Sequence, residues 1–335
     1  MTMTNSNALA TAKAPRQGKM LSMPLLKQTI RANWILWLLL TIGSCAIFFT
    51  INVVVCSRNI FQNVDMNNVS IYVKEEGLSW LQILGMLEQM GFSLGRIEVM
   101  SRIDMNSILS DLVYKIVGVL LPMIYVIVTA NNLIVNQVNS GSMAYVLSTP
   151  TSRKKVIWTS YVFLFGSLFL MYAAITGTAL LSEAIAGLMR IARGGQRNMN
   201  ALRTLLLCLS SFSAIFAIGG ICFGASSFFN KSRNAIAVGG GVCVICFLAC
   251  IMGLFGSKVF VSVGIGVEAM NVFNYASIFT LIDTESVKNF SYAVYGTPDY
   301  TMDFAWIWEI LILWAVGIIF ALVGSMTFLK KDLPL

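Results

Sequence analysis

Apolar positions gather into six long runs, Trp34 to Cys56, Leu112 to Val135, Val156 to Leu181, Thr204 to Phe229, Ala235 to Phe255 and Phe304 to Leu329, with polar segments between them. A helix rises about 1.5 Å per residue, so about 20 apolar residues cross a hydrocarbon core about 30 Å thick. Every run reaches that length, and the pattern predicts an all-α polytopic membrane protein with six transmembrane helices. The expected division is a tail with an interfacial helix over 1–33, a single transmembrane domain over 34–329 and a short tail over 330–335. Within the domain, the helices cover 34–56, 112–135, 156–181, 204–229, 235–255 and 304–329, and two outer regions cover 57–111 and 256–303.

Flanking charge orients the threading. The segment before the first run carries Lys13, Arg16, Lys19, Lys27 and Arg31 without an acid, which holds that end in the cytoplasm. Six crossings then return the C-terminus to the same side. Arg153, Lys154 and Lys155, Lys231 and Arg233, and Lys330 and Lys331 all fall inside on this threading, while seven acids share the outer region over 57–111. Arg190, Arg193, Arg197 and Arg203 fall outside, an exception compatible with a wrong crossing count nearby, with lipid head groups or with an anionic substrate; six crossings are kept, because removing one there would put another basic loop or the tail outside. Trp34, Trp37 and Trp158 at inner ends and Trp306 and Trp308 at an outer end match the depth that amphipathic rings prefer.

Both outer regions are long enough for structure of their own. Leu78 to Leu109 has an amphipathic helical period, expected as a packed outer cap or a substrate gate. Val259 to Leu281 is apolar but interrupted by Gly264, Gly266 and Glu268, and a seventh crossing there would put the tail outside. Short helices re-entering the outer leaflet, or a helical hairpin resting on the bundle, are the two expectations.

Composition agrees, with 57% hydrophobic and 11% charged residues, proportions that would leave a soluble fold an insoluble surface. The net charge of +8 is assigned to loops facing anionic lipid, not to nucleic acid. Catalysis is limited by what the chain lacks. There is no histidine, the commonest general base and metal ligand, and no GxxxxGK[ST] stretch to cradle nucleotide phosphates. No catalytic residue and no metal site is assigned, and the chain is read as no enzyme. Seven cysteines occupy apolar surroundings, Cys243, Cys246 and Cys250 sharing one helix side, and are expected to pack as small hydrophobes.

Carboxylates at membrane depth persist where they pair or face water. Glu309 lies about five residues inside the outer end of the sixth run, and Lys115 and Arg203 start runs from the same side. These three form a possible intramembrane polar site, either an ion pair or part of a transport path. Gly220 and Gly224, and Ala237 and Gly241, have the four-residue spacing that lets helix backbones approach, within the chain or between copies.

The strongest local clue is Ser140 to Lys155, which reads Ser-Gly-Ser-Met-Ala-Tyr-Val-Leu-Ser-Thr-Pro-Thr-Ser-Arg-Lys-Lys. It predicts a short cytoplasmic helix, a stop at Pro150 and a basic turn. Here the chain resembles the ABC-2 family of ABC-transporter permeases, which join their second and third crossings by a similar stretch. The match runs through Gly141, Ser142, Leu147, Ser148, Pro150, Ser152 and Arg153, and the tail from Phe328 also looks like that family's ending. Ala144 or Tyr145 stands where an acidic residue often follows the glycine, and Ser160 stands where a lysine is frequent.

The resemblance implies the permease subunit of an ATP-driven exporter for an amphipathic or hydrophobic cargo such as a peptide, a lipid-like molecule or an antibiotic. It further implies a coupling segment over Gly141 to Lys155, Lys154 included, and a secondary cytoplasmic contact at Lys231 and Arg233. The implied partners are an ABC ATP-binding subunit, a second permease subunit in a homodimer or heterodimer, and membrane lipid, with no nucleic acid. No cofactor is expected on this chain; ATP and Mg belong to the partner ATPase. The implied location is the cytoplasmic membrane of a bacterium, crossed several times. The competing classes are a non-transporting sensor or anchor for an ATPase, and an integral-membrane enzyme.

Overall fold

The computed structural model describes residues 21–57, 113–148, 152–192, 200–256, 261, 267–296 and 301–331. They are helical almost throughout, and no strand occurs among them. Among the described residues, six helices are long and apolar enough to cross a membrane, as the hydrophobic pattern predicts. The long elements are α1 (Met23–Ser57), α2 (Gly118–Leu133), α5 (Arg153–Ala192), α6 (Ala201–Phe228), α8 (Gly241–Phe255) and α10 (Ala305–Lys330). Short helices α3 (Val135–Asn139) and α4 (Ser142–Ser148) follow α2, while α7 (Ser232–Ala235) precedes α8 and α9 (Thr284–Val294) precedes α10.

Several boundaries differ from the sequence expectation. Among the described residues, Lys27 and Arg31 belong to the same continuous 35-residue helix as the first span. The helix expected over 156–181 runs for 40 residues, about 60 Å, so it absorbs the basic turn at one end and Arg190 at the other. Polar residues do not stop it, since Ser182 donates to the Ala179 carbonyl at 2.7 Å and Glu183 finds partners at the start of α6. The expected amphipathic helix over 78–109, the arginines at 193 and 197, and Pro150 lie outside the described residues.

Helix α6 is the centre of the bundle, packed against α2, α5 and α10. Its buried face is built from small residues, including Ser210, Ser211, Ser213, Ala214, Ala217, Gly220 and Gly224. Serine hydroxyls at 210, 211 and 213 return to carbonyls four residues back, at 3.0, 3.0 and 2.8 Å, which satisfies them where no water is available. The gain is close approach: a Cβ added at Gly220 would lie 2.1 Å from the Gly317 oxygen, and one at Gly324 would lie 2.6 Å from the Gly224 Cα. Helices α6 and α10 therefore meet backbone to backbone, the geometry that small residues permit in lipid. The other spaced pair does not pack within the chain. Ala237 is exposed and a Cβ at Gly241 meets nothing within 4 Å, while their neighbours Gly239 and Gly240 face α6 and α2.

Helix α2 begins with a π turn, Val113–Val117, and contains Pro122. Proline has no N–H, so the carbonyl four residues earlier, Gly118, loses its helical donor. The Tyr172 hydroxyl of α5 fills that place at 2.8 Å, and Ser211 of α6 donates to the Tyr114 carbonyl at 3.1 Å. Three helices are thus fastened where the helical ladder of one is interrupted.

The segment after α8 turns back along it. Glu268–Ala276 and Ile278–Leu281 form 3₁₀ turns. Asn271 lies against Gly256, Asn274 donates to the Gly253 carbonyl at 3.2 Å, and Ser277 donates to the Cys246 carbonyl at 2.7 Å. From Gly256 to Cys246 is ten residues of α8, about 15 Å. At the far point Phe279 is fully buried against Phe247, with ring centroids 5.9 Å apart.

Candidate functional site

Polar chemistry concentrates at the two ends of the bundle. One end, here the terminal face, holds the start of α1, the α3–α4 turn, the start of α5 and the ends of α6 and α10. Gly141 makes the turn between α3 and α4 with φ of +73°, a left-handed conformation that favours glycine. Ser142 donates to the Gln137 carbonyl at 3.2 Å and sits 3.0 Å from the Ser140 hydroxyl, closing the turn. On α4, Met143 is buried against the bundle and Tyr145 is 81% exposed, so this one-turn-plus helix has an inward and an outward side. Ser148 donates to the Tyr145 carbonyl at 2.8 Å; of Leu147 only the helical backbone is described.

Ser152 accepts the first amides of α5, from Lys155 at 2.9 Å and Val156 at 3.3 Å, so Arg153, Lys154 and Lys155 form a helical turn in place of a loop. Arg153 donates to the Lys331 carbonyl at 2.9 Å. The neighbouring basic loop is fastened separately: Ser232 and Asn131 exchange hydrogen bonds at 2.8 and 3.1 Å, leaving Lys231 and Arg233 exposed beside them.

At the opposite end Glu183 holds the start of α6. One carboxylate oxygen accepts from the Asn200 amide at 2.9 Å and the other from the Thr204 hydroxyl at 2.7 Å. Asn200 in turn caps the helix by accepting from the Arg203 amide at 3.1 Å, and reaches Ser291 of α9 at 3.3 Å. An acid beside exposed amides at a helix N-terminus is favourable, and this role of Glu183 was not legible from its position in the sequence.

Asp283 caps α9 through the amides of Glu285 and Ser286 at 3.0 and 3.1 Å, and the Ser286 hydroxyl is shared between Asp283 and Asp303. Asp303 accepts from the Ala305 amide at 3.0 Å. Glu309, one turn further along α10, lies among the charges of Asp283, Asp303 and Lys115 and accepts from the Asp283 amide, while its Oε2 is buried without a hydrogen-bond partner. Of the residues grouped with it from the sequence, Lys115 lies within electrostatic reach of this carboxylate, beside the start of α9.

The Ala305 amide and the Ser286 hydroxyl hold the Asp303 carboxyl below the usual carboxylate range. A depressed folded-state value stabilises the fold fully above about pH 4, where the carboxylate is charged in both states, and that contribution is lost as pH falls through the lower folded value. Asp303→Asn is therefore expected to flatten the loss of thermal stability on acidification, read by unfolding scans from neutral to acid pH; an unchanged slope would contradict this.

The cysteines behave as packing groups with one exception in geometry. Cys222 of α6 and Cys243 of α8 are both buried, with sulfurs 3.5 Å apart. Cys45, Cys208, Cys222, Cys243, Cys246 and Cys250, the cysteines whose side chains are described, are free thiols.

A transmembrane bundle with this inter-helical turn and this basic helix start is matched by the family model described as ABC-2 family transporter protein, over residues 26–333. The chain belongs to the ABC-2 family of transporter proteins. No characterised protein and no solved structure shows a significant match. As an ABC-2 member the chain is a multi-pass membrane permease subunit of an ABC transporter, a transport component and not an enzyme. Membership also implies partnership with an ABC ATP-binding subunit.

Proposed function

We propose that this permease is the membrane half of an ATP-driven exporter whose terminal face is cytoplasmic and whose energy comes from ATP hydrolysed, with Mg, on the separate subunit. The observation that carries the reading is α4, set off by the left-handed Gly141 turn, seated by Met143 and presenting Tyr145 to solvent immediately before α5. A rigid aromatic side chain on a short projecting helix is the kind of group that dominates a protein interface. The coupling segment is thus Gly141, Ser142, Leu147, Ser148, Pro150, Ser152, Arg153, Lys154 and Lys155, with Lys231 and Arg233 as a second contact held by the Asn131–Ser232 pair.

The cargo class is amphipathic or hydrophobic, and its path lies between two permease copies, identical or not. The return of residues 268–281 along α8 supports reading that segment as re-entrant in the outer leaflet. Glu309, with Lys115 and Arg203 near the same end, supplies polar lining there. The location is a bacterial cytoplasmic membrane.

The test is affinity purification of the tagged chain from native membranes in mild detergent, scoring an accompanying Walker-motif ATPase. Tyr145→Ala is expected to reduce ATPase recovery about tenfold, the effect of about 1.4 kcal/mol at an interface. No ATPase with the wild-type chain, or full recovery with the variant, would overturn the coupling assignment.

A further inference from the structure

Three helix ends that are distant in sequence converge on Lys331. Helix α6 ends at Phe228 and exposes carbonyls without helical donors, the negative pole of its dipole. The Lys331 ammonium donates to two of them, Phe228 at 2.7 Å and Ser227 at 3.4 Å. The carbonyl of Lys331 itself lies just past the end of α10 and is taken by the Arg153 guanidinium at 2.9 Å. Arg153 opens α5 and belongs to the coupling segment. One residue therefore caps α6 with its side chain while its backbone is held by the first turn of α5. Bonds to charged donors are the stronger class of hydrogen bond.

Beyond that junction, α6 and α10 cannot slide independently. Gly220 against Gly317 and Gly224 against Gly324 leave no room for a Cβ between the two backbones, so a displacement delivered to the end of one is delivered to both. Resting on the coupling role proposed above, we infer that Lys331 is a positioning residue of a relay, Arg153 to Lys331 to the Ser227 and Phe228 carbonyls, that passes movement of the coupling segment to the glycine-locked α6–α10 pair. The tail lysine is then a mechanical part and not only a topology signal. Lys331 itself binds neither cargo nor ATPase; it acts through Arg153 of the coupling segment and through the end of α6.

The experiment uses the full chain purified with its co-isolated ATPase and reconstituted in nanodiscs. A bimane fluorophore on Leu322→Cys, an exposed position of α10, reads the change in environment on adding ATP and vanadate. With Lys331 present the ATP-dependent change is seen. Lys331→Met is expected to shrink it at least about fivefold, the lower end of typical coupling between sites, while ATPase recovery and ATP hydrolysis persist, and Lys331→Arg is expected to restore it. A full fluorescence change in Lys331→Met overturns the relay, as does loss of thermal stability or of ATPase recovery matching the loss of signal, which would mark Lys331 as merely structural. Absence of an ATPase with the wild-type chain overturns the coupling reading itself and the relay with it; an ATPase without any wild-type fluorescence change overturns the relay alone.

Discussion

Gly220→Leu is expected to destabilise the permease in detergent by about 3 kcal/mol, the upper range for overpacking a close-packed contact. Even the Cβ of the new side chain would lie 2.1 Å from the Gly317 oxygen and 2.6 Å from the Gly317 Cα. Backbone atoms cannot rotate away, so the helices must separate, and every small-residue contact along α6 and α10 weakens together. Unfolding scans with a thiol-reactive fluorophore would follow this directly, because Cys208, Cys222 and Cys243 are buried and react only when the bundle opens. Gly241→Ala is the control: nothing lies within 4 Å of its added Cβ, and alanine is the better helix former by about 1 kcal/mol. It is expected to be neutral or slightly stabilising. Equal melting of Gly220→Leu and wild type would refute the α6–α10 contact.

Phe279→Ala is expected to cost about 3 kcal/mol, at the low end for removing a buried aromatic. The ring is fully buried against Phe247 and lies at the innermost point of the segment that returns along α8. Lipid, unlike water, does not drive apolar side chains inward, so the loss is chiefly of dispersion contacts and of the cavity left behind. The same variant should raise hydrogen exchange in residues 268–294, since Ser277 and Asn274 would hold the segment to α8 alone. Tyr275→Ala, at a side chain 89% exposed, is expected to change stability by less than about 0.5 kcal/mol. If Phe279→Ala matched that control, the segment would not be packed as described.

The six spans were legible because a bilayer imposes one demand on every residue that faces it, and runs of apolar residues answer it without reference to the rest of the chain. Helix ends were less legible. The third span was expected to end at Leu181, yet α5 runs through Ser182 and Glu183. Polarity marks a helix end only where the polar group has no partner inside the protein, and Glu183 has two, the cap residue of α6 and Thr204 in its first turn.

Site residues divided in the same way. The Gly141 turn and the helix of Ser142–Ser148 could be read locally, since glycine placement and a following proline are local signals. The charged neighbours of Glu309 include Asp283 and Asp303 as well as Lys115, and the first two could not be read from spacing along the chain. Gly220 with Gly224 and Ala237 with Gly241 are the same pattern, and only one of the two lies against another helix of the chain.

What the amino-acid sequence determined by itself was the solvent, the number of apolar spans and the family resemblance between the second and third spans. Those follow from composition, run length and contiguous motifs. Tertiary structure alone decided that Lys331 caps α6, that Arg153 reaches it from 178 residues away, that Tyr172 serves the carbonyl Pro122 leaves free, and which glycines face a neighbour. The reason is physical: a small residue or an orphan carbonyl states a need in the sequence, but the group that meets it is chosen by the packing of helices.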